Sequence, residues 1–354
     1  VDMNIFNSKK VLITGNTGFK GSWLTAWLIK KGANVTGYSN NIPTNPSHYL
    51  CANLDKSLVQ IFGDIRNAEH VKKTILELRP DYIFHLAAQP LVKESYKNPK
   101  ETFEVNAIGT LNVLEGLRHL ESPCSVVLVT SDKVYYNQEQ IWGYRENDSI
   151  GGSDPYSASK GAAELIIKSY INSYFQNSDI RIGICRAGNV IGGGDWAEDR
   201  IVPDIARSWA SNKVVNIRNP NATRPWQHVL EPLYGYLILA NKLAHEKDIS
   251  GEAYNFGPTA DQNYTVKDLL LSFQKILPSL QWELGDCINV SEASLLKLCC
   301  DKSLSMLGWK PRLSIEQNIT LTAEWYKKFY QGKDSMIEIT ESQIDLYEKI
   351  VEGR

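Results

Sequence analysis

A short apolar run, Val11-Leu12-Ile13-Thr14, leads directly into Gly15-Asn16-Thr17-Gly18-Phe19-Lys20-Gly21, and Trp23/Trp27 and Leu24/Leu28 then recur at i,i+4 spacing. Such an order predicts a buried strand, a tight turn and a helix packed back on the strand. A strand with a helix over it needs a parallel neighbour, and the pattern repeats. Further strands are expected at 34–38, 58–62, 81–89, 126–130, 181–186 and 253–256, with helices over 68–78, 106–119 and 229–244. Alternation at this spacing specifies an α/β fold with one parallel sheet covered on both faces. Ligands on such sheets gather at the C-terminal ends of the strands.

The expected architecture is a Rossmann-like doubly wound sheet over residues 1–188, with a smaller, mainly substrate-binding lobe over 189–354, where glycine-rich loops begin. The helix near 229–244 and the strand near 253–257 are expected to return to the sheet. With 354 residues and a formal net charge of −2, the chain is long enough for both parts and carries no excess charge for nucleic acid or an anionic membrane. Its six cysteines are scattered without metal-ligand spacing, so reduced thiols and no metal site are expected. No apolar run approaches membrane-spanning length, and the one after Lys9-Lys10 is too short for a signal peptide. A cytoplasmic protein is expected.

Glycines let a backbone approach a pyrophosphate, and a helix start offers N–H groups to it. The turn from Gly15 to Gly21 (Gly15, Asn16, Thr17, Gly18, Phe19, Lys20, Gly21) is therefore a candidate dinucleotide site, although its spacing is Gly-x-x-Gly-x-x-Gly. A bare βα turn is the alternative. After the second strand stand Ser39 and Asn40, with neither an acid for ribose hydroxyls nor a cation for a 2′-phosphate. NAD is the expected cofactor, with weak ribose contacts. Asp64, with Ile65 after the third strand, could accept from adenine or instead cap the helix at 68–78. Leu86, Ala87 and Ala88 end the fourth strand with small residues against which a flat cofactor can lie, while His85 reads as a core histidine.

Asp154-Pro155 opens a helix on which Tyr156 and Lys160 share a face. A phenol with an ordinary pKa of roughly 10 is a poor base at neutral pH, and a nearby ammonium would favour its ionised form. Ser131-Asp132-Lys133, directly after strand five, bring a hydroxyl, an acid and an amine to the same end of the sheet, where each could equally serve a turn. Arg218, Arg224 and His228 are candidates to meet phosphates, Arg224 foremost because Pro225-Trp226 restrains its loop. The acidic C-terminal stretch reads as a solvated helix.

Taken together, Thr14-Gly15-x-x-Gly18-x-x-Gly21, Asp64-Ile65-Arg66, His85-Leu86-Ala87-Ala88-Gln89, Asn106 with Gly109-Thr110, and Tyr156-x-x-x-Lys160 resemble the extended short-chain dehydrogenase/reductase family over essentially the whole chain. Ser131-Asp132-Lys133, Gly188-Asn189-Val190-Ile191-Gly192-Gly193-Gly194-Asp195-Trp196 and Arg224-Pro225-Trp226-Gln227-His228 further resemble its nucleotide-sugar 4,6-dehydratases, in particular the branch acting on CDP-glucose. The resemblance implies NAD on the glycine turn, Asp64 at adenine, and Tyr156 as acid/base beside Lys160, with Ser131 completing the trio. It implies Asp132 as acid and Lys133 as base for elimination within an internal redox cycle, and Gln89 and Asn189 at the substrate. It also implies a homodimer, or a dimer of dimers, through helices near 106–119 and 156–174, and a deoxysugar product destined for surface polysaccharide such as lipopolysaccharide O-antigen. A nucleotide-sugar 4-epimerase would use Tyr156 and Lys160 without needing the Asp132–Lys133 pair. A NAD-sensing regulator would need neither.

Overall fold

The computed structural model describes residues 3–217, 219–259, 262, 264–285 and 296–353. Seven strands form one parallel sheet: β1 (Lys10–Thr14), β2 (Asn34–Ser39), β3 (Val59–Phe62), β4 (Tyr82–His85), β5 (Cys124–Val129), β6 (Ile180–Ala187) and β7 (Ala253–Phe256). Their order is β7-β6-β5-β4-β1-β2-β3. The chain therefore reverses direction between β1 and β4, where Thr14 lies opposite His85 in register. Connections leaving this point in opposite directions open a crevice at the strand ends.

Helix α1 (Phe19–Lys30) packs its tryptophans inward, Trp23 and Trp27 both at 0% exposure. Helix α2 (Ala68–Leu78) is capped by Asn67, whose side chain accepts from His70 N, and not by Asp64. The helical stretch foreseen at 106–119 starts earlier, because Pro99 is accepted in a first turn; Pro99–Phe103 runs through a π turn at Glu104–Ile108 into α3 (Gly109–Leu117). Helix α4 (Pro155–Tyr170) begins with Asp154 accepting from Ser157 N at 3.0 Å. Helix α5 (Leu230–His245), apolar almost all round, lies against β5 and β6.

Helix α6 (Ile315–Gln331) and helix α7 (Met336–Glu352) close the α1 side of the sheet. The solvated reading of the acidic last dozen residues fails: Ile344 and Tyr347 are both 0% exposed, and Glu348 accepts from Trp27 Nε1. Acidic residues line the outer face of α7 while an apolar stripe faces the core. Among the described residues no helix is long and apolar enough to cross a membrane, and the five described cysteines are free.

Candidate active site

Backbone geometry makes the glycine turn a cradle. Gly15 has φ +74°, and a Cβ there would stand 2.7 Å from Ala87 N. A Cβ on Gly21 would fall 2.1 Å from Gly15 O, so the start of α1 can sit against the turn only without a side chain. Gly18 caps α1 without a side-chain hydrogen bond, and the first turn holds no acid. A helix start with free N–H groups and no competing carboxylate, facing the bare backbone of β4, suits the pyrophosphate of a dinucleotide. The site fits NAD on that ground.

Beneath the cradle, polar groups are already matched. Asn16 donates to Gln60 Oε1 at 2.7 Å and accepts from Ser39 Oγ at 2.8 Å. Ser39 thus braces the turn, while Asn40 is exposed. Thr17 donates to Asn41 O. The Asp64 carboxylate takes three hydrogen bonds from the Arg66 guanidinium and one from its N–H, which hold it below the usual carboxylate range. Ile65 turns its side chain into the core against Gly109.

His85 is 3% exposed, with Nδ1 2.7 Å from Thr14 Oγ1 and Nε2 3.1 Å from Thr110 Oγ1. Thr110 donates to Asn106 O, which assigns the proton to Nε2 from the network. Burial drives its pKa down to about 3, leaving a neutral core histidine. Leu86, Ala87, Ala88 and Gln89 follow as a partly exposed floor. Gln89 was expected at the substrate, but its amide is spent locally: Nε2 donates to Leu91 O and Thr102 Oγ1, and Oε1 accepts from Leu91 N.

The catalytic candidates converge beyond β5. Tyr156 is 8% exposed and Lys160 6%, with Lys160 Nζ donating to Val129 O at 3.4 Å. Ser131 caps a short turn over Asp132–Val134, accepting from Lys133 N at 3.2 Å and donating to Asp132 Oδ1 at 3.0 Å. Lys133 Nζ lies 3.6 Å from Asp132 Oδ1. Burial pushes the Tyr156 phenol up, against the pull of Lys133 and of a hydrogen bond with Ser131. Lys160, expected to be the charge that ionises Tyr156, is itself lowered to about 8 by burial. Asp132 holds Lys133 above its ordinary value.

Two cations reach this centre from elsewhere. Lys20, foreseen only at the cofactor, is lowered to about 8 by burial and interacts with Asp132, Lys133, Lys160 and Arg200. Arg200, overlooked in the sequence, pairs with Asp195 at 2.9 Å and interacts with Tyr156; no motif marks it. Arg224 interacts with Lys133. A small cleft is lined by Asp132, Gly188, Pro225, Gly257, Pro258 and Leu298 among others, and Asn189, expected at the substrate, is not in its lining. His228 is not there. It is fully buried edge-on to Trp23, and burial keeps it neutral with a pKa of about 3, so it offers no charge to a phosphate. Arg218 lies outside the described residues.

The sequence profile of the family described as GDP-mannose 4,6 dehydratase matches residues 12–322. The CDP-glucose 4,6-dehydratase of Salmonella typhimurium is 43% identical over 95% of this chain and 96% of its own length. Among solved structures, the epimerase Mth375 of Methanothermobacter thermautotrophicus superposes with a TM-score of 0.78 at 25% identity, over 94% of this chain and 96% of that one. The UDP-glucuronic acid 4-epimerase of Bacillus cereus, solved with UDP-glucuronic acid and NAD, does so with a TM-score of 0.78 at 23% identity, over 91% of this chain and 100% of that one. The chain belongs to the NAD-dependent epimerase/dehydratase branch of the extended short-chain dehydrogenase/reductase family.

Proposed function

We propose that this protein is a CDP-glucose 4,6-dehydratase, a hydro-lyase that converts its substrate to water and a 4-keto-6-deoxy sugar nucleotide. The observation that carries the reading is an acid and an amine side by side against the reactive phenol: Asp132, 3% exposed, with Lys133 Nζ 3.6 Å from it. Removing and restoring hydrogen at carbon 4, as an epimerase does, gives that pair no task. Elimination requires a proton taken from carbon 5 and another given to the 6-hydroxyl. Cytidine as the base rests on the relative at 43% identity.

NAD, when bound, supplies a reversible two-electron acceptor for oxidation at carbon 4. The glycine turn and the floor after β4 would hold it, and Lys160 would bind its nicotinamide ribose. Tyr156 receives the proton from the 4-hydroxyl oxygen. Asp132 protonates the departing 6-hydroxyl, and Lys133 removes and restores the proton at carbon 5. Lys133, a third exposed, must first release its own proton to solvent and recover one after turnover, and its carboxylate neighbour opposes the release. Once Asp132 is protonated that attraction disappears, and the amine becomes easier to free. Burial of Ser131, Asp132 and Tyr156 excludes water from the exchange. In this reading Arg224 and Asn189 serve the diphosphate side of the substrate.

Homodimerisation through the 99–117 and 155–175 helices belongs to the same reading; Ile108, Leu165 and Tyr174 leave apolar side chains exposed there. So do cytoplasmic location and a product used for surface polysaccharide.

The test follows single hydrogens. In heavy water deuterium should enter at carbon 5, and label placed at carbon 4 should reappear at carbon 6. Label returned to carbon 4, with carbon 5 untouched, would make the protein an epimerase. Lys133→Met should block exchange at carbon 5 while leaving slow oxidation at carbon 4. Parallel assays with CDP, dTDP, GDP and UDP sugars decide the base.

A further inference from the structure

The short turn that carries Asp132 and Lys133 is anchored at both ends. Strand β5 fixes its start, where Thr130 N donates to Cys185 O at 2.9 Å. Tyr135, directly after the turn, fixes its end. The ring is 2% exposed, the Arg186 guanidinium lies over it, and it stacks on Tyr144 with centroids 5.1 Å apart. From here the hydrogen bonds run one way. Arg186 has no acceptor, so its Nη1 donates to Tyr135 Oη at 2.7 Å. Burial keeps the phenol un-ionised, and its single hydrogen goes to Asn255 Oδ1 at 2.7 Å.

The Asn255 amide, 0% exposed on β7, is oriented by that bond. Its Nδ2 then donates to Tyr144 O at 2.8 Å and to Cys299 O at 3.0 Å. Those two carbonyls lie in backbones that are themselves paired. Tyr144 bridges Leu298, with Tyr144 N donating to Lys297 O at 2.8 Å and Cys299 N to Tyr144 O at 2.9 Å. A Cβ on Gly143 would fall 2.5 Å from Cys299 N, so the two backbones meet only because Gly143 has no side chain. Leu298 lines the same cleft as Asp132. One amide thus connects the turn bearing Asp132 to the segment bearing Leu298.

We propose that Tyr135 and Asn255 are positioning residues for elimination: they clamp the Asp132–Lys133 turn to the Leu298 segment, so that acid and base meet carbons 6 and 5 of a sugar already oxidised at carbon 4. This rests on the dehydratase reading. Oxidation needs Tyr156 and Lys160, which α4 presents from its own cap at Asp154. Elimination needs Asp132 and Lys133, which the clamp presents. Different elements therefore support the two steps, and loosening the clamp slows the second alone.

Tyr135→Phe tests this with the ring retained and the Glu164–Arg186 pair intact. On rapid mixing with substrate, reduced cofactor should appear at close to the wild-type rate but persist. Carbon-5 exchange and formation of the 4-keto-6-deoxy product should fall about tenfold to a hundredfold, as small misplacements of reacting groups do. Asn255→Leu, close to the amide in volume but without its hydrogen bonds, should show the same split. Equal slowing of both steps in Tyr135→Phe would mark a general packing defect and overturn the proposal, as would elimination at the wild-type rate. A second readout needs no turnover and holds even if Asn255→Leu does not fold. Thiol alkylation followed by mass spectrometry should label Cys299 several-fold faster in Tyr135→Phe than in wild type, with Cys51 as the internal standard. Unchanged labelling of Cys299 would show the segment to be held by other contacts and sink the clamp. A wild-type protein that forms no 4-keto-6-deoxy product would sink the dehydratase reading instead, while the labelling still decides whether the clamp exists.

Discussion

Two carboxylate–cation pairs lie along the same face of α4, and they are built to opposite ends. Glu164 and Arg186 are both 0% exposed and joined through two hydrogen bonds, one of them Nε to Oε1 at 2.7 Å. Thr130 donates to the same carboxylate, while Arg186 also donates to the Tyr135 hydroxyl and to Glu146 O. Tyr135 in turn donates to Asn255, whose amide bonds Tyr144 O and Cys299 O, so this pair ties α4, β5, β6 and β7 to two loops. Asp132 and Lys133 meet at 3.6 Å with the lysine a third exposed. A sealed pair whose guanidinium makes four hydrogen bonds cannot change protonation without great cost. A loose pair beside a cleft can. The difference separates the charge that holds the site from the charge that reacts.

That separation can be broken by experiment. Tyr156→Phe removes only the titratable hydroxyl beside the loose pair. It should cost about a thousandfold or more in turnover with NAD binding and melting unchanged; near wild-type rates would end its role. Glu164→Ala strands a buried guanidinium and should lower unfolding stability by about 3–5 kcal/mol. Asp132→Ala, whose partner can turn to solvent, should lose about 1 kcal/mol or less. Equal losses in denaturant titrations would erase the comparison.

Lys160 lies between the pairs, lowered to about 8 in the folded protein by burial and supported by Glu164. Unfolded, the amine keeps its proton up to about 10.4, so between these values the unfolded chain binds more protons and stability rises with pH. Lys160→Met should therefore gain about 1–3 kcal/mol near neutral pH, lose activity, and flatten that rise; a variant less stable than wild type at neutral pH would show the ammonium to be well solvated. The smallest effect belongs to the cofactor side. Asn40→Asp, at the exposed end of β2, should tighten NAD a few-fold, because a charge-assisted hydrogen bond is worth about 1.5–3 kcal/mol less its desolvation. Ser39→Asp should not, since Ser39 already braces Asn16. Calorimetric titration of both variants decides.

The seven strands and α2 followed from apolar periodicity because a strand buried on both faces must be apolar throughout, and a covering helix must repeat every three to four residues. Tyr156, Lys160 and the Ser131–Lys133 turn were legible because their spacing on a helix, or their place after a strand, is local information. Glu164 could have been found by one more step of four residues along α4. His228 and the C-terminal helix misled for one reason: a polar residue or an acidic stretch does not reveal which neighbour will bury it.

The amino-acid sequence by itself determined the parallel sheet, the glycine cradle and the phenol–amine face, since each depends on residues within a few turns of one another. Only the tertiary structure decided which charges act there. It brought Lys20 and Arg200 to Tyr156 and Asp132, spent Gln89 and Ser39 on structure, and made Lys133 rather than Lys160 the charge that faces the phenol. Electrostatic interaction and desolvation act through space and depend on burial, and neither distance nor burial is written in the order of residues along a chain.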